Sequence, residues 1–600
     1  MPAVTFLPYD VTVEAAAGAP LLKAAAEAGL AAGFTVEAPC GGNGSCKKCR
    51  ARLVSGDIYA EADAFGFILL CLSHMGETDL VVDVSVSSAE TDEKGRFDET
   101  GEEIDFDGEI DFPVKQIEIE IAEPAQGDGL SDLDRLKNAA AKFFKGSQIN
   151  IPLPFLAELP KCLRGGSGKK MLAYEKTGTE IQAVGLYDIN FSPLGLAADI
   201  GTTTVAAKLI DADGRTVASR TAYNLQISCG HDVISRINYA RDPQRRAELK
   251  RLAVKTINNL IKKLVGKNND NSQIINVSVA ANTTMTHLLL GIDPEYIRLA
   301  PYTPAVFDVP RCTAHDLCID AAPCAPVRFA PAVGSYVGGD ITAGLLCTPI
   351  GNFEQAGGED LCLFIDIGTN GEIALGGNGF LLTCACSAGP AFEGGGVSCG
   401  MRASAGAIEN VTIDDNKKPS LEVIGGGVPK GICGSGIIAL IAELLRAGLI
   451  DPSGRFDDPD KRYALGGGLY ITEADVQNVI RAKAAVFSAC RTLVASIGAD
   501  LSEINELYIA GGFGRYLNIN NAKKIGLVPD LPNDKIKFIG NSSLAGAHMT
   551  LISEKFRRLQ AETAARATYI DLSSEPGYMN EYTAALFLPH TDASMFRQLA

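Results

Sequence analysis

The pattern of hydrophobic and polar positions divides the first 86 residues into short strands around one helix. Apolar and β-branched residues in "TFLPYDVTVEA", "CRARLVSGDI" and "DLVVDVSV" predict strands. Alanines and leucines at helical spacing in "APLLKAAAEAGLAA", with Gly29 near the end, predict a helix. We therefore predict a small α+β domain over residues 1–86.

A second pattern change defines a small middle domain. Strict alternation in "VKQIEIEIAEP" (114–124) predicts a strand, and "SDLDRLKNAAAKFF" (131–144) predicts a helix with Ser131 as its N-cap. We place this α/β domain at residues 114–193. We interpret residues 87–113, which precede it, as an acidic linker.

From residue 194 onward strands and helices alternate, which is typical of α/β architecture. Two stretches repeat the same pattern of apolar strand, D-I-G-T, strand and glycine turn, at 195–214 and 362–379. Their aspartates are Asp199 and Asp366. A D-I-G-T hairpin that occurs twice predicts two similar lobes. The predicted lobes are residues 194–355 and residues 356–600.

Charge and composition narrow the function. The 600 residues carry a net charge of −18, which argues against nucleic-acid binding because a phosphate backbone needs clustered Lys and Arg. Residues 90–111 hold eleven of the acidic side chains against Lys94 and Arg96, and this composition favours a solvated linker over a docking surface. We find no apolar run of the ~18–20 residues that span a bilayer and no secretory signal, so we expect a cytoplasmic protein.

Four of the sixteen cysteines have a spacing that suits a metal centre: Cys40, Cys46, Cys49 and Cys71. Four thiolates bind zinc as readily as an iron–sulfur cluster, so residue type alone leaves both open. The chain has one C-x-x-C pair where a zinc ribbon usually has two. Gly41, Gly42 and Gly44 allow backbone N–H groups to point at cluster sulfides. The local pattern favours a ferredoxin-like cluster over zinc.

This segment resembles the β-grasp [2Fe–2S] ferredoxins that have five residues between the first two cysteines. The helix "LLKAAAEAGL" lies where that family has one. The resemblance implies a [2Fe–2S] cluster held by Cys40, Cys46, Cys49 and Cys71. The gap before Cys71 is shorter than in the family, which implies a trimmed segment before the last ligand.

The two D-I-G-T turns have the chemistry of phosphate-binding hairpins. Glycine lets backbone N–H groups approach a phosphate, threonine hydroxyls add donors, and an aspartate at the strand end binds Mg²⁺ directly or through water. One copy is weak evidence, because any tight turn favours Gly and Asp. The candidate nucleotide-binding residues are Gly201, Thr202, Thr203, Thr204, Gly368, Thr369, Asn370 and Gly371.

Together the hairpins resemble the phosphate-1 and phosphate-2 motifs of the acetate and sugar kinase, heat-shock chaperone and actin superfamily. The resemblance implies a two-lobed, ribonuclease H-like ATPase fold. "GGDITAGLL" (338–346) and "GNSSLAGAHMTLI" (540–552) correspond to its connecting helices, and the former places Asp340 where it would activate the attacking water. "ELYIAGGFGRYLN" resembles the adenosine loop, with candidate residues Gly511, Gly512 and Gly514.

The whole chain resembles the reductive activators of corrinoid proteins, on stretches such as "ADIGTTTVAAKLID", "NLQISCGHDVISRINYA", "FIDIGTNGEIAL" and "IAGGFGRYLN". The resemblance implies ATP-dependent transfer of an electron from the cluster to the inactive Co(II) corrinoid of a methyltransferase corrinoid protein, which restores Co(I). Asp199 and Asp366 would then organise Mg·ATP. It also implies an electron donor that the sequence does not identify, and it is compatible with a homodimer.

Two alternatives stay open from the sequence. One is activation of another enzyme, such as an acyl-CoA dehydratase, for which a second cluster bound through Cys386 in a homodimer would be the sign. Cys384, Cys386 and Cys399 lie in a glycine-rich segment that we interpret as a loop with reduced thiols. The other alternative is a chaperone-like ATPase that the ferredoxin regulates, without export of an electron.

Overall fold

The computed structural model describes residues 1–596 apart from 33, 37–43, 45–48, 61, 64, 86–87, 91–109, 165–167, 231, 267–269, 352–359, 369, 378 and 512–516. Five predicted site residues therefore lie outside the described residues: Cys40, Cys46, Thr369, Gly512 and Gly514. In the part of the chain that is described, no helix is both long enough and apolar enough to cross a bilayer.

The N-terminal unit packs one helix onto a mixed sheet. Its elements are β1 (Ala3–Leu7), β2 (Val11–Glu14), α1 (Leu21–Ala32), β3 (Phe34–Val36), β4 (Arg50–Ser55), β5 (Ile58–Tyr59), β6 (Phe67–Leu69), β7 (His74–Met75), β8 (Leu80–Asp83) and β9 (Ser88–Glu90). The main sheet has the order β2-β1-β8-β4-β6, with β1 parallel to β8. Leu21, Ala25 and Ala28 form the buried face of α1. A Cβ atom at Gly29 would lie 2.1 Å from the Phe34 carbonyl oxygen, so glycine allows α1 to turn tightly into β3.

The second unit is an α/β layer. It contains β10 (Val114–Glu120), α2 (Asp132–Ala141), β11 (Gln148–Asn150), α3 (Leu153–Arg164), β12 (Lys169–Thr177) and β13 (Glu180–Tyr187), in the sheet order β10-β12-β13-β11. The predicted N-cap is confirmed, because the Ser131 side chain accepts from the N–H of Asp134 in a reciprocal capping box. Glu175 on β12 pairs with Arg328 and, at 2.9 Å, with Arg311, which fastens this unit to the next.

The first large lobe surrounds a sheet of order β16-β15-β14-β17-β19-β18. Its elements are β14 (Leu194–Ile200), β15 (Thr204–Ile210), β16 (Thr216–Tyr223), α4 (Val233–Ala240), α5 (Pro243–Val265), β17 (Ile274–Ala281), α6 (Thr283–Leu290), β18 (Cys312–Thr313), α7 (Ala314–Leu317), β19 (Pro326–Phe329) and α8 (Gly339–Leu345). A 3₁₀ turn at Leu225–Cys229, called the 225–229 turn below, joins β16 to α4. Strand β17 is buried along its whole length, as expected for a strand inside a sheet covered on both faces.

The second large lobe has a main sheet of order β29-β28-β20-β21-β22-β30. Its elements are β20 (Cys362–Ile367), β21 (Gly371–Gly377), β22 (Phe380–Cys386), β23 (Ala407–Ile413), β24 (Pro419–Val423), β25 (Gly431–Ile432), α9 (Gly434–Arg446), β26 (Arg462–Gly466), β27 (Leu469–Thr472), α10 (Glu473–Ser496), β28 (Glu506–Ala510), α11 (Ile519–Lys524), β29 (Ile536–Gly540), α12 (Ser542–Ile552), α13 (Glu554–Arg566), β30 (Ala567–Tyr569) and α14 (Tyr578–Ala585).

The two lobes repeat one topology, which confirms the predicted fold class. The order β16-β15-β14-β17-β19 in the first lobe matches β22-β21-β20-β28-β29 in the second. In both, an antiparallel hairpin is followed by strands that run parallel to its first strand. Each D-I-G-T sequence is the turn of that hairpin, so the repeat in the sequence is a repeat of structure.

Helices α8 and α12 pack closely against each other beside the first-lobe sheet, where α12 lies on β14 and β17. A Cβ atom at Gly546 would lie 2.0 Å from the Ala343 carbonyl oxygen, and one at Gly344 would lie 2.6 Å from Ser542 Oγ. A Cβ atom at Gly344 would also lie 3.2 Å from the ring of Phe364 in the second lobe. Small residues therefore permit the contact through which the two lobes meet.

Residues 110–112 are fastened at the junction of α12 and α13. The Asp111 N–H donates to the Ile552 carbonyl at 2.9 Å, and the Glu554 N–H donates to the Asp111 carbonyl at 3.2 Å. Phe112 packs against the apolar cluster between α12 and the first-lobe sheet. The C-terminal end of the acidic segment is thus held by the two large lobes.

Candidate functional site

The first hairpin presents Asp199 and the 201–204 turn at the end of β14. Asn541, the N-cap of α12, donates from Nδ2 to Asp199 Oδ2 at 3.0 Å. Thr202 Oγ1 accepts from Asn282 Nδ2 at 3.2 Å. A Cβ atom at Gly201 would lie 2.8 Å from the Thr204 carbonyl oxygen, so the tight turn requires glycine there.

Buried polar side chains hold the carbonyl side of this turn. Asn224 donates from Nδ2 to the Gly201 carbonyl and from its backbone N–H to the Thr203 carbonyl, both at 2.9 Å. Arg236 on α4 donates to the Thr202 carbonyl. Burial lowers the pKa of Arg236 to about 9, so the guanidinium remains protonated at neutral pH. A buried cation therefore lies directly behind the turn that would face a phosphate.

The second hairpin brings Asp366 opposite a carboxylate that the sequence analysis missed. Asp366 on β20 and Glu372 on β21 are direct cross-strand partners, and the Gly368 N–H donates to the Asn370 carbonyl at 2.9 Å within the turn. Gly511 has φ +94°, and a Cβ atom there would lie 3.1 Å from Asp366 Oδ1. The structure thus joins the second hairpin to the start of the glycine loop after β28.

Asp340, in the first turn of α8, completes an acidic cluster with Asp366 and Glu372. Burial raises the pKa of Asp340 to about 6. Burial and the charge of Asp340 raise the pKa of Asp366 to about 7, and they also raise that of Glu372 well above its ordinary value. Carboxylates that repel one another in a half-buried cleft fit a bound cation, which would relieve the repulsion.

This donor set suits Mg²⁺ carried by a nucleotide better than a cage made of protein ligands. Among the residues that the structure describes, no three His, Cys, Asp or Glu side chains are grouped closely enough to enclose a metal ion. Mg²⁺ bound to phosphate oxygens and water needs only one or two carboxylates from the protein. The hairpins supply one aspartate each, Asp199 and Asp366.

Replacement of Asp366 by asparagine should stabilise the protein above pH 7 when Mg²⁺ and nucleotide are absent. The pKa of about 7 exceeds that of an unfolded aspartate, about 3.9, so the folded state binds the extra proton between these values. Stability contributed by this group therefore falls as pH rises through that window. Urea unfolding in EDTA should show Asp366→Asn more stable than wild type at pH 8, and the difference should shrink towards pH 4.

The matched control is Asp415→Asn, which changes an exposed carboxylate in the β23–β24 turn. It should leave the pH dependence of unfolding unchanged. Parallel pH profiles for wild type and Asp366→Asn would contradict the proton uptake assigned to Asp366.

The described cluster-ligand candidates, Cys49 and Cys71, belong to adjoining segments. Cys49 is buried immediately before β4, and Cys71 is half-buried immediately after the 67–70 segment. The Leu70 N–H donates to the Cys49 carbonyl at 3.0 Å. A Cβ atom at Gly44 would lie 2.7 Å from the side chain of Leu72, so Gly44 lies beside the Cys71 segment. Thiols at these positions fit the donor set of an iron–sulfur cluster.

The other cysteine-rich segment differs from its sequence interpretation. Cys384 and Cys386 lie on β22 and are buried, and Cys399 is half-buried in the loop that follows. Burial raises the pKa of the Cys384 and Cys386 thiols well above their ordinary value. Both thiols therefore lie inside the second-lobe sheet, and among the described residues no three metal-ligating side chains come together there as a second cluster would require.

Three residues at the site were missed from the sequence: Glu372, Asn541 and Arg236. Glu372 had a usable signal, because Asp366 and Glu372 are equally far from the hairpin turn and must face each other. Asn541 precedes a predicted helix as an N-cap does. No signal in the sequence identified Arg236, because arginine on an amphipathic helix is usually exposed.

Family descriptions match successive parts of the chain. The 2Fe-2S iron-sulfur cluster binding domain matches residues 4–76, and the RACo linker region matches 104–187. The RACo middle region matches 194–352, and the C-terminal ASKHA domain of RACo matches 360–600. These matches occur in the order in which the structure presents its units.

Individual relatives agree with those descriptions. A solved structure of a reductive activator for a corrinoid, iron-sulfur protein is 37% identical, with 100% of both chains covered and a TM-score of 0.72. The corrinoid activation enzyme RamQ of Eubacterium limosum is 34% identical over 417 residues, which are 65% of this chain and 69% of that protein. A Co(II) methylated amine-specific corrinoid protein reductase of Methanosarcina barkeri is 32% identical over 216 residues, which are 32% of this chain and 39% of that protein.

Proposed function

The chain belongs to the RACo family of reductive activators of corrinoid proteins, and on that basis we propose that it performs ATP-dependent reduction of an inactive Co(II) corrinoid to Co(I). The acceptor is the corrinoid protein of a methyltransferase system, and the electron reaches this chain from a separate donor. The observation that carries the proposal is the full-length similarity to a reductive activator, which spans both the ferredoxin-like unit and the ATPase lobes.

Energetics explain why one chain combines these units. Plant-type [2Fe–2S] centres have potentials near −400 mV, so an acceptor of much lower potential is reduced only when another reaction drives the transfer. A nucleotide shifts such an equilibrium by binding one conformation of the two lobes more tightly than another. The close helix crossing at Gly546 and Gly344 is the contact about which the lobes would rearrange.

Each site residue has a proposed role. A [2Fe–2S] cluster would supply a one-electron carrier, and Cys49 and Cys71 would hold it together with Cys40 and Cys46. We propose that Asp199 and Asp366 orient Mg²⁺ on the nucleotide and that Asp340 accepts a proton from the attacking water. The turn residues described above would bind phosphate oxygens through backbone N–H groups and hydroxyls.

Reconstitution of the reaction tests the proposal. The purified protein, a strong low-potential reductant, Mg·ATP and candidate Co(II) corrinoid proteins are mixed anaerobically, and the Co(I) absorbance is followed. We expect Co(I) to accumulate only with ATP and with the correct corrinoid protein. ATP hydrolysis without Co(I) formation with every corrinoid partner would contradict the proposed function and favour a redox-regulated ATPase.

A further inference from the structure

The ferredoxin-like unit rests on the first lobe through one face of α1. Lys23 and Glu27 are one helical turn apart on α1. Lys23 pairs with Glu248 on α5, and Glu27 pairs with Lys255 of the same helix at 3.1 Å. Helix α1 also lies against the 225–229 turn. Helix α1 contributes the cation to the first pair and the anion to the second. The two pairs therefore fix the direction in which α1 lies on α5. We call this contact the dock.

The dock has the properties of a specific but reversible contact. Tyr239 donates from its hydroxyl to Glu248 Oε2 at 2.7 Å, so one carboxylate oxygen of Glu248 is held by α4 while the other pairs with Lys23. The paired side chains keep between 21% and 38% of their surface exposed. Ion pairs with that exposure contribute little and are screened by salt, so the ferredoxin-like unit can leave and return.

The surface beneath the dock is hydrogen-bonded to the first phosphate hairpin. The 225–229 turn follows Asn224, whose side chain and N–H hold the Gly201 and Thr203 carbonyls. Gln226, in the turn, accepts from Arg236 Nη1 at 3.1 Å, and Arg236 also donates to the Thr202 carbonyl.

The turn is fixed in the same way to the helix that carries the dock. Gln226 donates from Nε2 to the Leu249 carbonyl of α5 at 2.9 Å. The Leu225 N–H donates to Thr256 Oγ1, also on α5, at 3.2 Å. Hydrogen bonds therefore run without a break from the hairpin to the helix that pairs with α1.

Peptide geometry makes this network sensitive to a bound phosphate. The Gly201 carbonyl and the Thr202 N–H belong to one planar unit, as do the Thr202 carbonyl and the Thr203 N–H. An N–H that turns towards a phosphate therefore turns the carbonyl that Asn224 or Arg236 holds. Both side chains and Gln226 are fully buried, so close packing transmits the displacement.

We propose that the α5 surface around Glu248 and Lys255 is a docking site for the chain's own ferredoxin domain, and that its occupancy is thermodynamically linked to nucleotide binding at the first hairpin. The inference rests on the nucleotide site of the proposed function. Linkage is reciprocal, so the factor by which nucleotide changes docking equals the factor by which docking changes nucleotide affinity. Coupling of this kind is typically about five-fold or more.

Zero-length carbodiimide crosslinking of the full-length protein measures the dock, because it joins Lys and Glu side chains that are in contact. Mass spectrometry quantifies the Lys23–Glu248 and Glu27–Lys255 crosslinks with and without Mg·AMPPNP. We expect the yield of both to change together by about five-fold. Calorimetric titration should then show that the Kd for Mg·AMPPNP differs by a similar factor between wild type and Lys23→Glu. The charge swap that combines Lys23→Glu with Glu248→Lys should move this Kd back towards the wild-type value.

Two further variants separate coupling from general damage. Lys169→Glu reverses the charge of one partner in an exposed ion pair of the second unit, in which Lys169 Nζ lies 3.0 Å from Glu118 Oε1. It should change neither the crosslink yields nor the affinity for Mg·AMPPNP. Arg236→Lys removes the forked contact behind the hairpin, and should leave the crosslinks present but insensitive to nucleotide.

The proposal would be overturned if neither crosslink formed in any condition. It would also be overturned if nucleotide changed the crosslink yields by less than two-fold and Lys23→Glu bound Mg·AMPPNP with wild-type affinity. Neither readout uses a corrinoid protein. Failure of Co(II) reduction with a nucleotide-sensitive dock would therefore count against the proposed function alone.

Discussion

Replacement of Cys49 by serine should abolish Co(II) reduction and leave nucleotide binding intact. In the proposed site the Cys49 thiolate is a cluster ligand, and a serine hydroxyl at this buried position beside the Cys71 segment is a poor substitute for it. Iron and inorganic sulfide, expected at two each per chain in the wild type, should be largely lost. Co(I) formation should fall to the level seen without the protein, while the Kd for Mg·AMPPNP stays within about two-fold.

Cys318→Ser is the matched control, because Cys318 is an exposed cysteine of the first lobe. It should retain iron, sulfide and Co(I) formation. Wild-type cluster content in Cys49→Ser would contradict the ligand assignment, and zinc in place of iron in the wild type would contradict the cluster itself.

Replacement of Asp340 by asparagine should lower ATP turnover by about 10² to 10⁴-fold, the usual contribution of a positioned general base. Its pKa of about 6 suits proton abstraction near neutral pH. Because the base acts in its ionised form, wild-type turnover should rise with pH as Asp340 loses its proton and then level off. The residual turnover of Asp340→Asn should lack this rise. Affinity for Mg·AMPPNP should change little, which separates chemistry from binding.

Asp213→Asn, at an exposed position between β15 and β16, provides the comparison and should keep wild-type turnover. Turnover of Asp340→Asn within ten-fold of wild type would exclude Asp340 as the base. A large loss in Glu372→Gln instead would assign that role to the cross-strand partner of Asp366.

Features of this fold that depend on neighbouring residues in the chain could be predicted from the sequence. The two D-I-G-T hairpins and the Ser131 cap each follow from periodicity and turn chemistry within about 20 residues, whereas the connecting helices followed from the family resemblance. Repetition of the hairpin then indicated two lobes of one topology. The spacing of the candidate cluster cysteines could likewise be read from one segment of the sequence.

Features that depend on distant segments could not be predicted in the same way. Asp199 meets Asn541 across more than 300 residues, and the contact exists only because α12 packs on β14. Arg236 reaches Thr202 from a helix whose surface pattern gives no sign of a buried cation. The segment with Cys384 and Cys386 contains glycines, which suggested a loop, but burial in the second-lobe sheet made its first part a strand.

The attachment of Asp111 at the junction of α12 and α13 limits how far the electron carrier can travel. Residues 91–109 separate that attachment from Glu90, the last residue of the ferredoxin-like unit, and a fully extended backbone of this length spans about 70 Å. Confinement to a sphere of that radius corresponds to a local concentration of about 1 mM. An acceptor that binds to the ATPase lobes therefore meets the carrier at a frequency independent of how much protein the cell contains. The attachment point lies at the C-terminal end of α12, whose N-cap Asn541 contacts Asp199, so one helix joins the centre of that sphere to the first hairpin.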